Sequence, residues 1–118
     1  MGTRPGRPYT PKRGDVVWLM FDPQAGHEQA GLRPAVVLSP EAYNERSSLI
    51  VVVPLTRQIK GYPFEVVLPA GLTVSGAVLS DQIKSVDWRA REARFICSLP
   101  EAIVNSILQR AAVLLSAG

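Results

Sequence analysis

The apolar residues of this chain come in short runs: VVWLMF (16–21), PAVVLS (34–39), LIVVVPLT (49–56), FEVVL (64–68), GAVLSDQI (76–83) and RFICSL (94–99). Runs of this length, rich in Val, Ile, Leu and Phe, suit strands and are too short for uncapped helices. Ten prolines and nine glycines add frequent turns and keep the elements brief. VVWLMF is nearly continuous and reads as a strand buried on both sides. LIVVVPLT is the most hydrophobic run and belongs at the centre, although its Pro54 removes a ladder donor and asks for a bulge or an edge there. FEVVL alternates weakly. Residues 22–32 carry Gly26 and Gly31 with no apolar pattern and read as a loop, and Pro40-Glu41 opens a short helical turn to about residue 46.

The C-terminus changes period. Ile103, Val104, Ile107, Leu108, Ala111, Leu114 and Leu115 recur at helical spacing. Ser98 with Glu101 three residues on reads as a capping box, with Pro100 in the first turn. The result is an amphipathic helix of roughly four turns, its apolar stripe packed on a sheet or on a partner subunit. The expected class is therefore mainly β with α (α+β): a small, strongly curved sheet or partly open barrel of about six strands plus a C-terminal amphipathic helix. Edge strands of such a sheet invite pairing with a second copy.

A length of 118 residues fits one domain. Arg4, Arg7, Lys12 and Arg13 fall in the first thirteen residues with no acid among them. Residues 1–13 read as a basic flexible tail and 14–118 as a single domain. The chain has 13 basic and 10 acidic residues, net +3, so the body without the tail is close to neutral. That balance permits a nucleic-acid partner by long-range attraction without requiring one. The single cysteine, Cys97, excludes an internal disulfide and reads as a buried, inert thiol. No apolar run reaches membrane-spanning length and no signal-peptide core is visible, so a soluble cytoplasmic protein with no membrane partner is expected.

Most enzyme chemistries lack their residues here. One histidine and one cysteine make no His/Cys metal cluster. There is no GxSxG elbow, Walker A loop or GxGxxG turn, and the acids are scattered. Polar side chains instead gather in three segments where strands run out: the loop 26–33, the strand end PLTRQIKGYPF (54–64) and the turn SDQIKSVDWRAR (80–91). They supply His27, Glu28, Gln29, Arg33, Thr56, Arg57, Lys60, Gln82, Lys84 and Arg89. Arginine and lysine bind phosphate, and amides read base edges. Phe21, Tyr62, Phe64 and Trp88 are close in sequence and suited to stack on bases, Trp88 equally to anchor a core or interface. RNA carries its own nucleophile in the 2′-hydroxyl. Its cleavage needs a base, donors for the charged phosphorane and an acid for the leaving oxygen, with no metal or cofactor.

The blocks GDVVWLMFDPQAGHEQAGLRPAVVLSPEAYN, VVVPLTRQIKGYPFEVVLP and LSDQIKSVDWRAR run, with short gaps, from Gly14 to Arg91. In that order they closely resemble the MazF/PemK (Kid) toxins of bacterial toxin–antitoxin systems. The resemblance implies an SH3-like barrel, a homodimer, and a ribosome-independent, metal-independent endoribonuclease. Such an enzyme cuts single-stranded RNA at a short sequence, leaving 2′,3′-cyclic phosphate and 5′-hydroxyl ends. A cognate MazE-like antitoxin is implied as a second partner, expected to be acidic with a disordered tail.

The resemblance puts the family's essential arginine on Arg33, its essential threonine on Thr56 and its loop glutamate on Glu28. Arginine holds its proton at neutral pH, so Arg33 suits a fixed positive charge on the phosphorane. Glu28 suits the general base and Thr56 a hydroxyl donor. RNA binding is expected from Phe21, His27, Gln29, Lys60, Asp81, Gln82 and Lys84. At position 27 the family commonly has a small polar residue, so the histidine departs from the pattern, and RNA contact or a general-acid role stays open for it. Two rivals share the expected barrel: a non-enzymatic toxin that poisons a protein such as gyrase, and a plain SH3-like adaptor.

Overall fold

The structure, a computed structural model, describes residues 8–21 and 31–117. His27, Glu28 and Gln29 lie outside the described residues, as do residues 1–7 and the side chain of Phe21. The elements run β1 (Asp15–Phe21), β2 (Gly31–Val37), α1 (Glu41–Ser47), β3 (Leu49–Thr56), β4 (Glu65–Val67), β5 (Ala77–Leu79), β6 (Lys84–Asp87), β7 (Arg94–Ser98) and α2 (Glu101–Val113). The class is α+β, as expected. The described strands form one open antiparallel sheet in the order β4-β5-β3-β2-β1-β7, with β6 also paired to β3.

The described residues form seven strands, against the expected number of about six. The extra strand is β6, KSVD, which lies inside what the sequence offers as a turn. Only Val86 of its four residues is buried, so it carries no apolar run to detect. The run 76–83 correspondingly shortens to Ala77–Leu79, followed by a turn at Ser80–Asp81. β2 begins earlier than PAVVLS because Phe21 and Met20 of β1 pair with Gly31 and Leu32 and draw them into the ladder.

Each strand's alternation divides its side chains between two cores. On one face Val16, Val36, Val53, Leu55 and Val78 pack with Val104, Ile107 and Ala111 of α2. On the other, Val17, Leu19, Ala35, Val37, Ile50 and Val52 pack with Val86 and Trp88. β3 feeds both cores and is central, as its hydrophobicity predicts. β1 is buried on both sides only in its first half: Trp18 and Met20 are 39% and 42% exposed. Pro54 introduces no bulge, because it keeps its register with Ala35. The irregularity lies instead between Val16 and Val17, where β1 meets β7.

Helix α2 starts without the expected capping box. Pro100 is its N-cap and makes no side-chain cap bond. The Ser98 hydroxyl donates instead to Asp15 Oδ1 at 3.0 Å, tying β7 to β1. The helix also stops at Val113, leaving Leu114 and Leu115 beyond it and exposed. Cys97 is half-buried rather than buried, and desolvation pushes its thiol up, keeping it protonated.

Residues 8–13, assigned to the tail by sequence, are fastened to the body. Tyr9 O–H donates to Asp15 Oδ2 at 2.6 Å, and its ring meets Phe95 edge-on at 5.7 Å. Burial, then the hydrogen bond to Asp15, push the Tyr9 phenol well above its ordinary range. Pro11 is fully buried, and its carbonyl accepts from Asn44 Nδ2 at 2.8 Å. Asn44, itself fully buried in α1, also donates to the Ser39 carbonyl at 3.0 Å and accepts from the Ser39 hydroxyl at 2.6 Å. One amide thus joins the N-terminal segment, the β2–α1 corner and α1. Replacing it leaves buried groups without partners, so Asn44→Ala is expected to cost about 2–4 kcal/mol of stability, read as a lowered urea midpoint with unchanged slope.

Candidate functional site

Arg33 lies inside β2, not in the preceding loop, and pairs with Leu19 of β1. The β2–β3 ladder pairs Val37 with Val52, Val36 with Val53 and Ala35 with Pro54. Continued by two positions, this register sets Arg33 across from Thr56. Alternation gives both residues the same face: Arg33 continues the series Val37, Ala35, and Thr56 continues Ile50, Val52, Pro54. The pair therefore stands where the second core runs out of apolar side chains. Arg33 is exposed and makes no hydrogen bond or ion pair with another described residue.

The opposite edge of β3 brings in the third segment. There β6 pairs along Leu49–Val52, with Lys84 against Val52, while β5 pairs with Leu55 and Thr56. The turn 80–83 joins β5 to β6, so it passes beside Val53 and Pro54, where β3 has neither neighbour. Asp81 and Gln82 are exposed on that turn. Opposite residues of a ladder share a face, so Lys84 joins Val52 on the side of Arg33 and Thr56.

Thr56 itself is held closely. It pairs with Ala77, and Gly76 lies so near that a Cβ there would sit 2.1 Å from the Thr56 carbonyl oxygen. The Thr56 hydroxyl oxygen accepts from the Gln58 N–H at 3.1 Å. A hydroxyl that accepts still has one proton to give, so Thr56 is set up as a donor. The segment after it is gathered by Glu65, a buried carboxylate that accepts from Lys60 N–H at 3.1 Å and Gly61 N–H at 2.8 Å. Lys60, Arg57 and Tyr62 are exposed on this segment.

Other candidates are committed to the fold. Trp88 is buried in the second core, and its indole N–H donates to the Asn44 carbonyl at 2.8 Å, so it is an anchor and not a stacking platform. Arg89 lies 4.3 Å over the Trp88 ring and bonds to the Ser48 hydroxyl and the Glu45 carbonyl, which removes it from the phosphate-binding set. Sequence reasoning missed Gly76 and Glu65. An acid inside the apolar strand FEVVL is a visible signal, but weak alternation makes it look solvated. Among the described residues no three His, Cys, Asp or Glu side chains group to hold a metal ion.

Comparison with known proteins points in one direction. Residues 12–115 match the family described as PemK-like, MazF-like toxin of type II toxin-antitoxin system. The endoribonuclease toxin MazF of Escherichia coli (strain K12) is 56% identical over 85 residues, covering 72% of this chain and 76% of that protein. The endoribonuclease PemK of Escherichia coli is 36% identical over 109 residues, covering 89% of this chain and 82% of that protein. In a crystal structure of MazE-MazF from Deinococcus radiodurans, one chain superimposes with a TM-score of 0.87 at 49% identity, over 94% of this chain and all of that one.

The packing around Thr56 yields a test independent of activity. Gly76 and Gly71 both have positive φ, +107° and +95°, but only Gly76 abuts backbone; Gly71 has open space. Gly76→Ala is therefore expected to cost about 1–3 kcal/mol more than Gly71→Ala. Matched denaturant melts measure the difference, and equal losses would show that the close approach to Thr56 is not a constraint.

Proposed function

We propose, on the premise that this chain belongs to the PemK-like, MazF-like toxin family, that it is an endoribonuclease toxin cutting single-stranded RNA through the 2′-hydroxyl, without a metal. The observation that supports the site is the β2–β3 register, paired as far as Ala35 and Pro54, which if continued by two positions brings the exposed Arg33 across from Thr56. A guanidinium and a hydroxyl donor on one face suit a pentacoordinate phosphorane, whose negative charge grows on its non-bridging oxygens. Arg33 supplies the fixed charge. Thr56, its oxygen already engaged by Gln58 N–H, donates a hydrogen bond to a phosphorane oxygen.

The 2′-oxygen forms a bond to phosphorus as its proton passes to Glu28. The bond to the 5′-oxygen breaks, and that oxygen takes up a proton from solvent as Glu28 returns the 2′-hydroxyl proton to solvent. The products are a 2′,3′-cyclic phosphate and a 5′-hydroxyl, with no water consumed. Glu28 takes the base role by resemblance and by chain position, five residues ahead of Arg33. His27 and Gln29 on the same stretch, with Phe21 at the end of β1, are assigned to RNA contact. Lys60, on the segment between β3 and β4, and Asp81, Gln82 and Lys84, on the β5–β6 connection and the start of β6, extend that contact.

We read one toxin domain that includes residues 8–13, which are fastened to the body, and runs to residue 118, with the basic residues Arg4 and Arg7 ahead of it. It acts as a homodimer in the bacterial cytoplasm and is silenced by a cognate antitoxin of the MazE kind. The exposed trio Trp18, Met20 and Leu32, brought together by the β1–β2 register, supports a second copy as cover for that apolar face. Among the described residues no helix is long and apolar enough to cross a membrane.

Bare RNA incubated with the protein in EDTA is expected to yield fragments with cyclic-phosphate ends; intact RNA would defeat the reading in favour of a protein-poisoning toxin. Arg33→Ala is expected to slow cleavage about 10²–10³-fold, the usual scale for losing one charge-stabilising donor. His27→Ala is expected to keep most of the rate. Equal losses for the two substitutions would move the catalytic weight onto the histidine.

A further inference from the structure

The segment between Thr56 and β4 is held at three points. Gln58 N–H donates to the Thr56 hydroxyl at 3.1 Å. The Glu65 carboxylate takes Lys60 N–H at 3.1 and 3.2 Å on its two oxygens and Gly61 N–H at 2.8 Å, while Glu65 N–H donates to the Tyr62 carbonyl at 3.0 Å. On the outer side, Arg110 Nε of α2 donates to the Pro63 carbonyl at 3.0 Å. The backbone is fixed, yet Arg57, Ile59, Lys60 and Tyr62 remain exposed.

Placing a carboxylate at 7% exposure is costly, and a turn can be closed without burying a charge. What the carboxylate achieves is orientation: it turns two successive N–H groups inward while the Lys60 and Tyr62 side chains stay exposed, on the segment that follows Thr56. Charged and aromatic groups on a fixed backbone engage a nucleic-acid strand with less ordering cost than on a loose one.

We infer that Glu65 is a positioning residue for RNA engagement, acting through the 57–63 segment, with Arg110 as its second anchor from α2. The inference rests on the reading that this segment contacts RNA. Glu65 touches neither substrate nor reacting atoms, so its loss should raise KM and spare kcat.

The test measures steady-state cleavage of a short single-stranded RNA by the full chain carrying Glu65→Ala, Glu65→Gln, Arg110→Gln or Lys60→Ala, with melting curves for each. Glu65→Ala is expected to raise KM on the order of tenfold, with kcat within about twofold. Glu65→Gln keeps one acceptor oxygen for both N–H groups and should recover most of the loss. Arg110→Gln, which leaves the buried carboxylate intact, should raise KM in the same direction by less. An unchanged KM in Glu65→Ala overturns the inference. So does a fall in kcat that follows the loss of melting temperature. Should Glu65→Ala fail to fold, an unchanged KM in Arg110→Gln overturns it equally. Lys60→Ala is expected to raise KM; no effect there would overturn the reading that the segment contacts RNA and the inference with it, whereas a raised KM there beside an unchanged KM in Glu65→Ala overturns the inference alone.

Discussion

The rest of this structure depends on how β3 is paired. One of its edges holds β2, in unbroken register from Val52 to Pro54. The other edge holds two neighbours in succession, β6 along Leu49–Val52 and β5 at Leu55–Thr56. The change of partner falls at Val53–Pro54, and a proline, with no N–H to offer a ladder, is tolerated where a neighbour is missing. The sheet must divide there, and the turn 80–83 closes the division. That one constraint brings the ends of three separate chain segments to the same stretch of β3, and every proposed RNA-contacting group on the described residues except Phe21 lies on those segments.

The second consequence of the pairing is that the sheet has a core on each face. α2 covers one face with Val104, Ile107 and Ala111, while the other is covered by Trp88 and the fastened N-terminal segment around Tyr9. Arg33 and Thr56 belong to the second face and begin where its apolar residues end. The Arg33 guanidinium is exposed there, with no partner among the described residues. Arg89 shows the contrasting outcome: an arginine with an aromatic face and two oxygen acceptors within reach is absorbed by the fold. Counting basic residues therefore overstates the charge available to a ligand, and the ladder positions decide which arginine is free.

Much of this was legible in the sequence, for identifiable reasons. Runs such as LIVVV announce their strand because both faces are apolar, and 41–47 announces its helix by Pro40 and the acid that follows. β6 was not legible, since a strand that buries only Val86 gives no period to read. The capping box was misread because Ser98 has a better acceptor, Asp15, which lies 83 positions away and is visible only in three dimensions. Arg33 and Thr56 were identified by resemblance. Their juxtaposition is a property of register, and a one-residue slip of β2 on β3 would put them on opposite faces.

Glu65 belongs to the same class of information. Its neighbours in FEVVL give no hint that a carboxylate is turned inward, and its partners are backbone groups, which leave no trace in side-chain composition. The energetic logic is that of preorganisation. A buried charge satisfied by N–H groups is an expensive way to close a turn, but it fixes a backbone to within a small fraction of the freedom it would otherwise have. Binding RNA demands that ordering in any case. If it is met during folding, the same contacts to Lys60 and Tyr62 translate into tighter engagement, and the cost appears as lower stability of the free protein. Arg110 then gives that segment a mechanical connection to α2, the helix that covers the opposite face, so the site and the first core are not independent.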